Sequence, residues 1–257
     1  MTTNNRTTRR ASRVFWVGLL AAMLGACGDQ NLFESMADDN STTAEIESAK
    51  IAIDSGNFDD AIATLEGLCG TSPTAPTCDG ETASLFASAY AGRAGVNVFD
   101  LIENSVNLTS GATLGSLATF STLLPSPSTR DKSDLDDAVE LLGSLAAPTA
   151  NQNLQLSIYA MANAVVTVGV DLTGGFNGIT GLPNVVPDVT TIQNAQVTNQ
   201  TLDEVASALD LAIQGLDASG LGTEDLKSDI EALETAIDAD GNGVVSAAEM
   251  NSFLATL

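Results

Sequence analysis

One stretch near the C-terminus dictates more local structure than any other part of the chain: Asp238-Ala239-Asp240-Gly241-Asn242-Gly243-Val244-Val245-Ser246-Ala247-Ala248-Glu249. Side-chain oxygens stand at every second residue from Asp238 to Asn242. They converge only if the backbone curls, and Gly243 supplies the residue that tolerates a sharp turn. Before it, Leu226, Ile230, Leu233 and Ile237 recur at helical spacing; after it, Ser246 to Leu254 places Met250, Phe253 and Leu254 on one apolar face. The spacing predicts an entering helix, a tight loop and an exiting helix.

Position by position the loop resembles the calcium loop of the EF-hand. The resemblance implies one Ca²⁺ held by Asp238, Asp240 and Asn242, by the backbone carbonyl of Val244, by Ser246 through its hydroxyl or a bound water, and by Glu249 in bidentate fashion, with the Val245 side chain pointing into the core. The chemistry suits a hard, large cation that takes about seven oxygens. EF-hands usually pair, and Asp217-Ala218-Ser219-Gly220-Leu221-Gly222 begins like a second loop. Leu221 and Ser228, however, stand where an oxygen ligand and a closing glutamate belong. A solitary site implies weak affinity, on the order of 10⁻⁴–10⁻³ M, and a structural role. The alternative is an acidic turn that caps a helix and holds no metal.

The N-terminus carries a second signature. Arg6, Arg9, Arg10 and Arg13 precede the apolar run Val14 to Leu24, which is shorter than the 20 or so residues that cross a bilayer. Leu24-Gly25-Ala26-Cys27 resembles the lipobox of bacterial lipoproteins. The resemblance implies removal of residues 1–26, acylation of Cys27 and attachment to a lipid bilayer of the cell envelope. Gly28 after Cys27 resembles the default for the outer membrane over the inner one, on its periplasmic or surface face. Several acyl chains on one residue make a stable anchor, each buried CH₂ contributing roughly 0.8 kcal/mol. The alternative is an ordinary signal peptide with an accidental cysteine.

Charge narrows the partners. The chain carries 9 Lys plus Arg against 33 Asp plus Glu, formally −24. Loss of residues 1–26 takes four of the basic residues and none of the acids, leaving five against 33, or −28. Such a surface repels phosphate backbones, so no nucleic-acid partner is expected, and it repels anionic lipid, so acyl chains rather than a basic patch must hold it at a membrane. With no histidine, catalytic Ser-His-Asp and Cys-His arrangements and histidine-ligated metals are excluded. The single Trp, Trp16, lies in the removed segment.

The rest of the chain reads as helical. Residues 27–43 are polar and acidic, a flexible tether. Residues 44–172 form a helical repeat-like domain: Ala44 to Asp54 and Asp59 to Leu68 are helices about a breaker at Gly56, and Ser84 to Ile102 is a further pair turning at Gly95. Ala49, Ala52, Gly56, Phe58, Ala61 and Leu65 give a helix, tight turn, helix layout that resembles a tetratricopeptide-type repeat. Asp59-Asp60-Ala61-Ile62 returns as Asp136-Asp137-Ala138-Val139, and Tyr90-Ala91 as Tyr159-Ala160, without a strict period; a helical-hairpin array of another kind stays open. Cys69 and Cys78 flank a short loop rich in turn formers and, after export, suit a disulfide between successive helices; a redox pair or thiolate metal site lacks the spacing and the further ligands. Residues 173–200 are Gly-, Pro-, Asn- and Thr-rich, a long loop that could contact a partner, and residues 201–257 hold the C-terminal helices and the calcium loop.

The expected fold is all-α, a tetratricopeptide-like hairpin array ending in an EF-hand helix-loop-helix. The expected function is non-enzymatic: a lipid-anchored, calcium-binding envelope protein that docks or scaffolds an unidentified envelope protein. An envelope hydrolase using a carboxylate pair is one alternative, although nothing singles out the pair. A solute-binding lipoprotein is another, although βαβ alternation is missing.

Overall fold

The computed structural model describes residues 41–96, 126–176, 182–185, 199–221 and 224–256, with backbone alone for Asn199 and Asp225. The expected signal segment 1–26, Cys27, the expected tether up to residue 40, the expected helix end at 97–102 and most of the expected 173–200 loop lie outside the described residues. The chain divides into Met1–Ala44 and Glu45–Leu257. Of the first unit only the start of a helix is described, where the Ala44 amide donates to Ser41 Oγ at 3.2 Å.

Eight α-helices occur among the described residues: α1 (Thr42–Asp54), α2 (Phe58–Cys69), α3 (Gly80–Arg93), α4 (Thr129–Gly143), α5 (Ala150–Thr167), α6 (Asn199–Ser219), α7 (Glu224–Ile237) and α8 (Ala247–Leu254). Within these residues extended structure is limited to one antiparallel bridge between Phe176 and Pro183. Interfaces run along the chain: α2 on α3, α3 on α4, α4 on α5, α5 on α6, α6 on α7 and α7 on α8, with α8 returning to α6. The all-α class expected from sequence is therefore what the chain adopts.

Local signals set the helix ends. Gly56 (φ 75°) closes α1 by letting Asn57 donate to the Ala52 carbonyl (2.8 Å) and Gly56 to Ile53 (2.9 Å), a double bond pattern that only a left-handed residue permits cheaply. Asp79 starts α3 by accepting the Thr82 amide at 2.9 Å. Ser128 and Asp131 cap α4 reciprocally, as Thr149 and Gln152 cap α5. The Cys69–Cys78 disulfide joins the end of α2 to the residue before that Asp79 cap, with Cα atoms 4.6 Å apart.

The internal echoes are buried at several matching positions. Ala61 and Leu65 of α2 and Ala138 and Leu142 of α4 are buried, as are Tyr90 of α3 and Tyr159 of α5. Helix α5, continued by a π-helical turn at Val168–Thr173, is long and apolar enough to cross a membrane, but 83% of that window is buried within the fold. Its apolar length serves the core, sandwiched by α4 and α6. The α5–α6 approach depends on Gly215: a Cβ there would lie 2.7 Å from the Asn153 carbonyl oxygen and overlap Ser157 Oγ.

Between α3 and α4 lies a charge network that composition does not reveal. Asp134 is buried on α4 and accepts both arms of Arg93, from Nε at 2.8 Å and Nη2 at 2.6 Å. Arg93 Nη1 and Arg130 Nη2 also meet Asp59 Oδ1 of α2, at 2.8 and 2.6 Å. The pair is the planar, bidentate kind that makes a buried charge tolerable.

Candidate metal centre

Helix α7 fixes one side of the C-terminal loop by burying Ile230, Leu233 and Ile237, and α8 fixes the other by burying Met250, Phe253 and Leu254. Val245 is 2% exposed, a third apolar pin at mid-loop, as its expected inward orientation requires. Gly241 and Gly243 take positive φ (69° and 76°), so the chain reverses twice within the loop. Helix α7 runs on into Asp238, whose amide donates to the Glu234 carbonyl at 2.8 Å.

Each oxygen-bearing side chain first organises the loop itself. Asp238 Oδ2 accepts the Gly243 amide at 2.7 Å, Asp240 Oδ1 the Asn242 amide at 3.1 Å, and Asn242 Oδ1 the Val244 amide at 2.8 Å. Glu249 Oε1 reaches back across the loop to accept the Asp240 amide at 3.2 Å. Its Oε2 accepts the Ser246 amide at 2.9 Å and the Ser246 hydroxyl at 2.7 Å, while Ser246 Oγ accepts the Glu249 amide, a capping box that starts α8. These bonds, led by the Ser246 amide, hold the Glu249 carboxyl below its ordinary range and therefore ionised at neutral pH.

The result is a converged acidic triad. One carboxylate oxygen each from Asp238, Asp240 and Glu249 falls within 4.8 Å of the others, a grouping that could hold a metal ion. Ser246 is tied to this triad through Glu249, and Asn242 through its own amide on Asp240. The Val244 side chain stands 53% exposed, in keeping with a residue that offers only its backbone.

One atom is not explained by loop-making. Asp238 is 6% exposed, and its Oδ1 is buried without a hydrogen-bond partner, unlike every other buried side-chain nitrogen or oxygen among the described residues. A buried carboxylate oxygen with nothing to accept costs about 1–3 kcal/mol or more. Hard oxygens, anionic charge and an unpaired buried acceptor make a grouping that could hold a metal ion.

Sequence reasoning passed over Glu234, one turn before Asp238. It lies between Asp210 of α6 and Asp238, and burial, then the hydrogen bond and charge of Asp210, raise its pKa. The signal was its spacing of four residues from Asp238, masked because a helical carboxylate is usually solvated. The stretch at Asp217 proves to be a helix connection: α6 ends at Ser219, Gly220 turns with φ 61°, and Asp217 pairs with Lys227 of α7. Compared with known protein families, curated proteins and solved structures, the chain matches none.

Proposed function

We propose that the chain is a calcium-binding protein of a bacterial envelope, anchored through acylated Cys27, whose helical array docks or scaffolds another envelope protein without catalysing a reaction. The observation that carries the calcium reading is the partnerless, buried Asp238 Oδ1 inside the Asp238–Asp240–Glu249 triad. Asp238, Asp240, Asn242 and Glu249, with the Val244 carbonyl and Ser246, would hold one Ca²⁺, which would supply the positive charge that the triad lacks. The apolar face of α8 is buried among α6 and α7. An ion added here would brace the helix pair, the behaviour of a structural site, rather than expose a groove for a target.

The anchor rests on the Leu24-Gly25-Ala26-Cys27 sequence and on charge. All five basic residues from Lys50 onward sit in ion pairs with carboxylates, leaving no cationic patch among the described residues to attract anionic lipid.

Calorimetric titration tests the ion site. Calcium should bind the wild-type chain with one-site stoichiometry and fail to bind Asp238→Ala or Glu249→Gln; isotherms unchanged by both substitutions would remove the loop as the site. Mass spectrometry of the membrane-extracted N-terminus tests the anchor independently. The expected species begins at an acylated Cys27, and an unmodified terminus elsewhere would refute it.

A further inference from the structure

The Asn242–Gly243 pair combines the two chemical features that spontaneous deamidation needs: a side-chain amide next to a backbone nitrogen with no neighbouring Cβ in the way. Both residues are exposed, and nothing lies within 4 Å of where a Gly243 side chain would begin. In that reaction solvent base removes the Gly243 amide proton and the nitrogen attacks the Asn242 side-chain carbonyl carbon. A C–N bond closes a five-membered succinimide while the old C–N bond breaks, and the departing nitrogen takes up a proton and leaves as ammonia. Water then opens the ring at one carbonyl or the other, leaving aspartate or isoaspartate at position 242.

The folded loop opposes the first two events. The Gly243 amide proton is the one donated to Asp238 Oδ2 at 2.7 Å, so its removal would set an amide anion against a carboxylate. The Asp240 and Glu249 carboxylates, within 4.8 Å of that of Asp238, deepen the negative field. The Asn242 side chain is pinned separately, since its Oδ1 accepts the Val244 amide at 2.8 Å. We propose that Asn242–Gly243 is a spontaneous modification site held in check by Asp238, so that the loop ages only when the Asp238–Gly243 bond opens. The consequence rests on the calcium reading. Isoaspartate inserts one extra backbone atom between Asp240 and Glu249, which breaks the spacing that brings their carboxylates together.

The test is run on the full chain in mildly alkaline buffer containing a chelator, so its outcome does not depend on whether the loop binds calcium. Peptide mapping by mass spectrometry follows conversion at Asn242, resolved from the Asn177–Gly178 peptide, and Asn242→Asp serves as the blank. Folded wild type is expected to convert more slowly than the urea-unfolded chain. Asp238→Ala, with helicity checked by circular dichroism, should convert about tenfold faster than folded wild type, the rate equivalent of the one charged hydrogen bond that must open. Asp238→Asn, which keeps the acceptor and loses the charge, should accelerate by a smaller factor and covers the case in which the alanine variant loses helix. Equal rates in folded and unfolded wild type would overturn the proposal. So would slower conversion in both Asp238 variants, because the carboxylate would then be acting as a base.

Discussion

Calcium should raise the thermal stability of the chain by an amount that the loop geometry bounds. The Asp238, Asp240 and Glu249 oxygens lie within 4.8 Å of one another and Asp238 Oδ1 is buried and unpaired, so the loop is already shaped to receive an ion. A lone loop of this ligand count belongs with sites of about 10⁻⁴–10⁻³ M affinity. At roughly 10 mM calcium, mass action then stabilises the fold by about 1.4–2.7 kcal/mol. For a domain of this size that is a rise in Tm of roughly 3–10 °C.

The competing effect is non-specific, because a chain formally at −24 gains stability from any cation that screens its self-repulsion. The assay must therefore separate a site from a screen. Differential scanning calorimetry is run on wild type, Asp238→Ala and Glu249→Gln in calcium, in magnesium, and in sodium chloride of matched ionic strength. The expected pattern is a calcium increment in wild type that exceeds the sodium increment by those degrees, shrinks in magnesium, whose octahedral demand suits this loop poorly, and vanishes in both variants. An equal calcium increment in wild type and Asp238→Ala would show that screening accounts for it all and would sink the site.

Three further outcomes test the fold around that site. Arg93→Met strands the buried Asp134 carboxylate and should cost about 3–5 kcal/mol by chemical denaturation, most of it recovered when Asp134→Leu is added, since an apolar pair of similar volume replaces both charges. Gly215→Ala should lower stability by about 1–2 kcal/mol, the overpacking against the Asn153 carbonyl oxygen outweighing the helix-propensity gain of about 1 kcal/mol; a stabilised variant would mean that α5 and α6 are further apart than described. Burial, then the charges of Asp134, Glu140 and Asp136, push the half-buried Asp137 carboxyl up to about 6, so the folded state binds its proton more tightly than the unfolded chain does. The contribution is full below the ordinary value near 4 and is lost as pH rises through about 6. After discounting for solvent screening, Asp137→Asn should gain about 1 kcal/mol at pH 7 and nothing near pH 3.5, which thermal melts at the two pH values would read.

How far the sequence could be read depended on how local each signal was. The Gly56 and Gly95 turns, the helices on both sides of Gly56, the helix before Gly95 and the exiting helix after Ser246 were legible because a left-handed glycine or a serine cap acts within a few residues. Apolar spacing alone located Ile230, Leu233, Ile237, Met250, Phe253 and Leu254 in the core. The Asp134–Arg93 pair was not legible: the partners are separated by 41 positions, and an aspartate on a polar helix gives no sign that tertiary packing will bury it. Nor was the contact that makes Gly215 indispensable, since the crossing of α5 and α6 is a property of two helices and not of either sequence.

The two acidic stretches at 217 and 238 show the same division within one region of the chain. Both begin with aspartate, and both offer glycines three and five residues later. What separates them is the far end. Glu249 sits at the first turn of α8, where the cap bond from Ser246 aims its carboxylate back at the Asp240 amide, so that a residue distant in sequence closes the loop. At the corresponding place after Asp217 the chain has Ser228, already inside α7, where no carboxylate stands to close the loop; Asp217 instead pairs with Lys227. Closure by a helix-capping glutamate therefore separates the converged acidic triad from a plain turn, and Glu249→Gln probes the decisive step more directly than any substitution among the leading aspartates. The variant keeps one side-chain oxygen to accept the Ser246 amide but removes the anionic charge offered at the loop's exit. It should leave α8 folded by circular dichroism while abolishing the calcium increment, and an α8 that unravels with it would mean that Glu249 serves the helix alone.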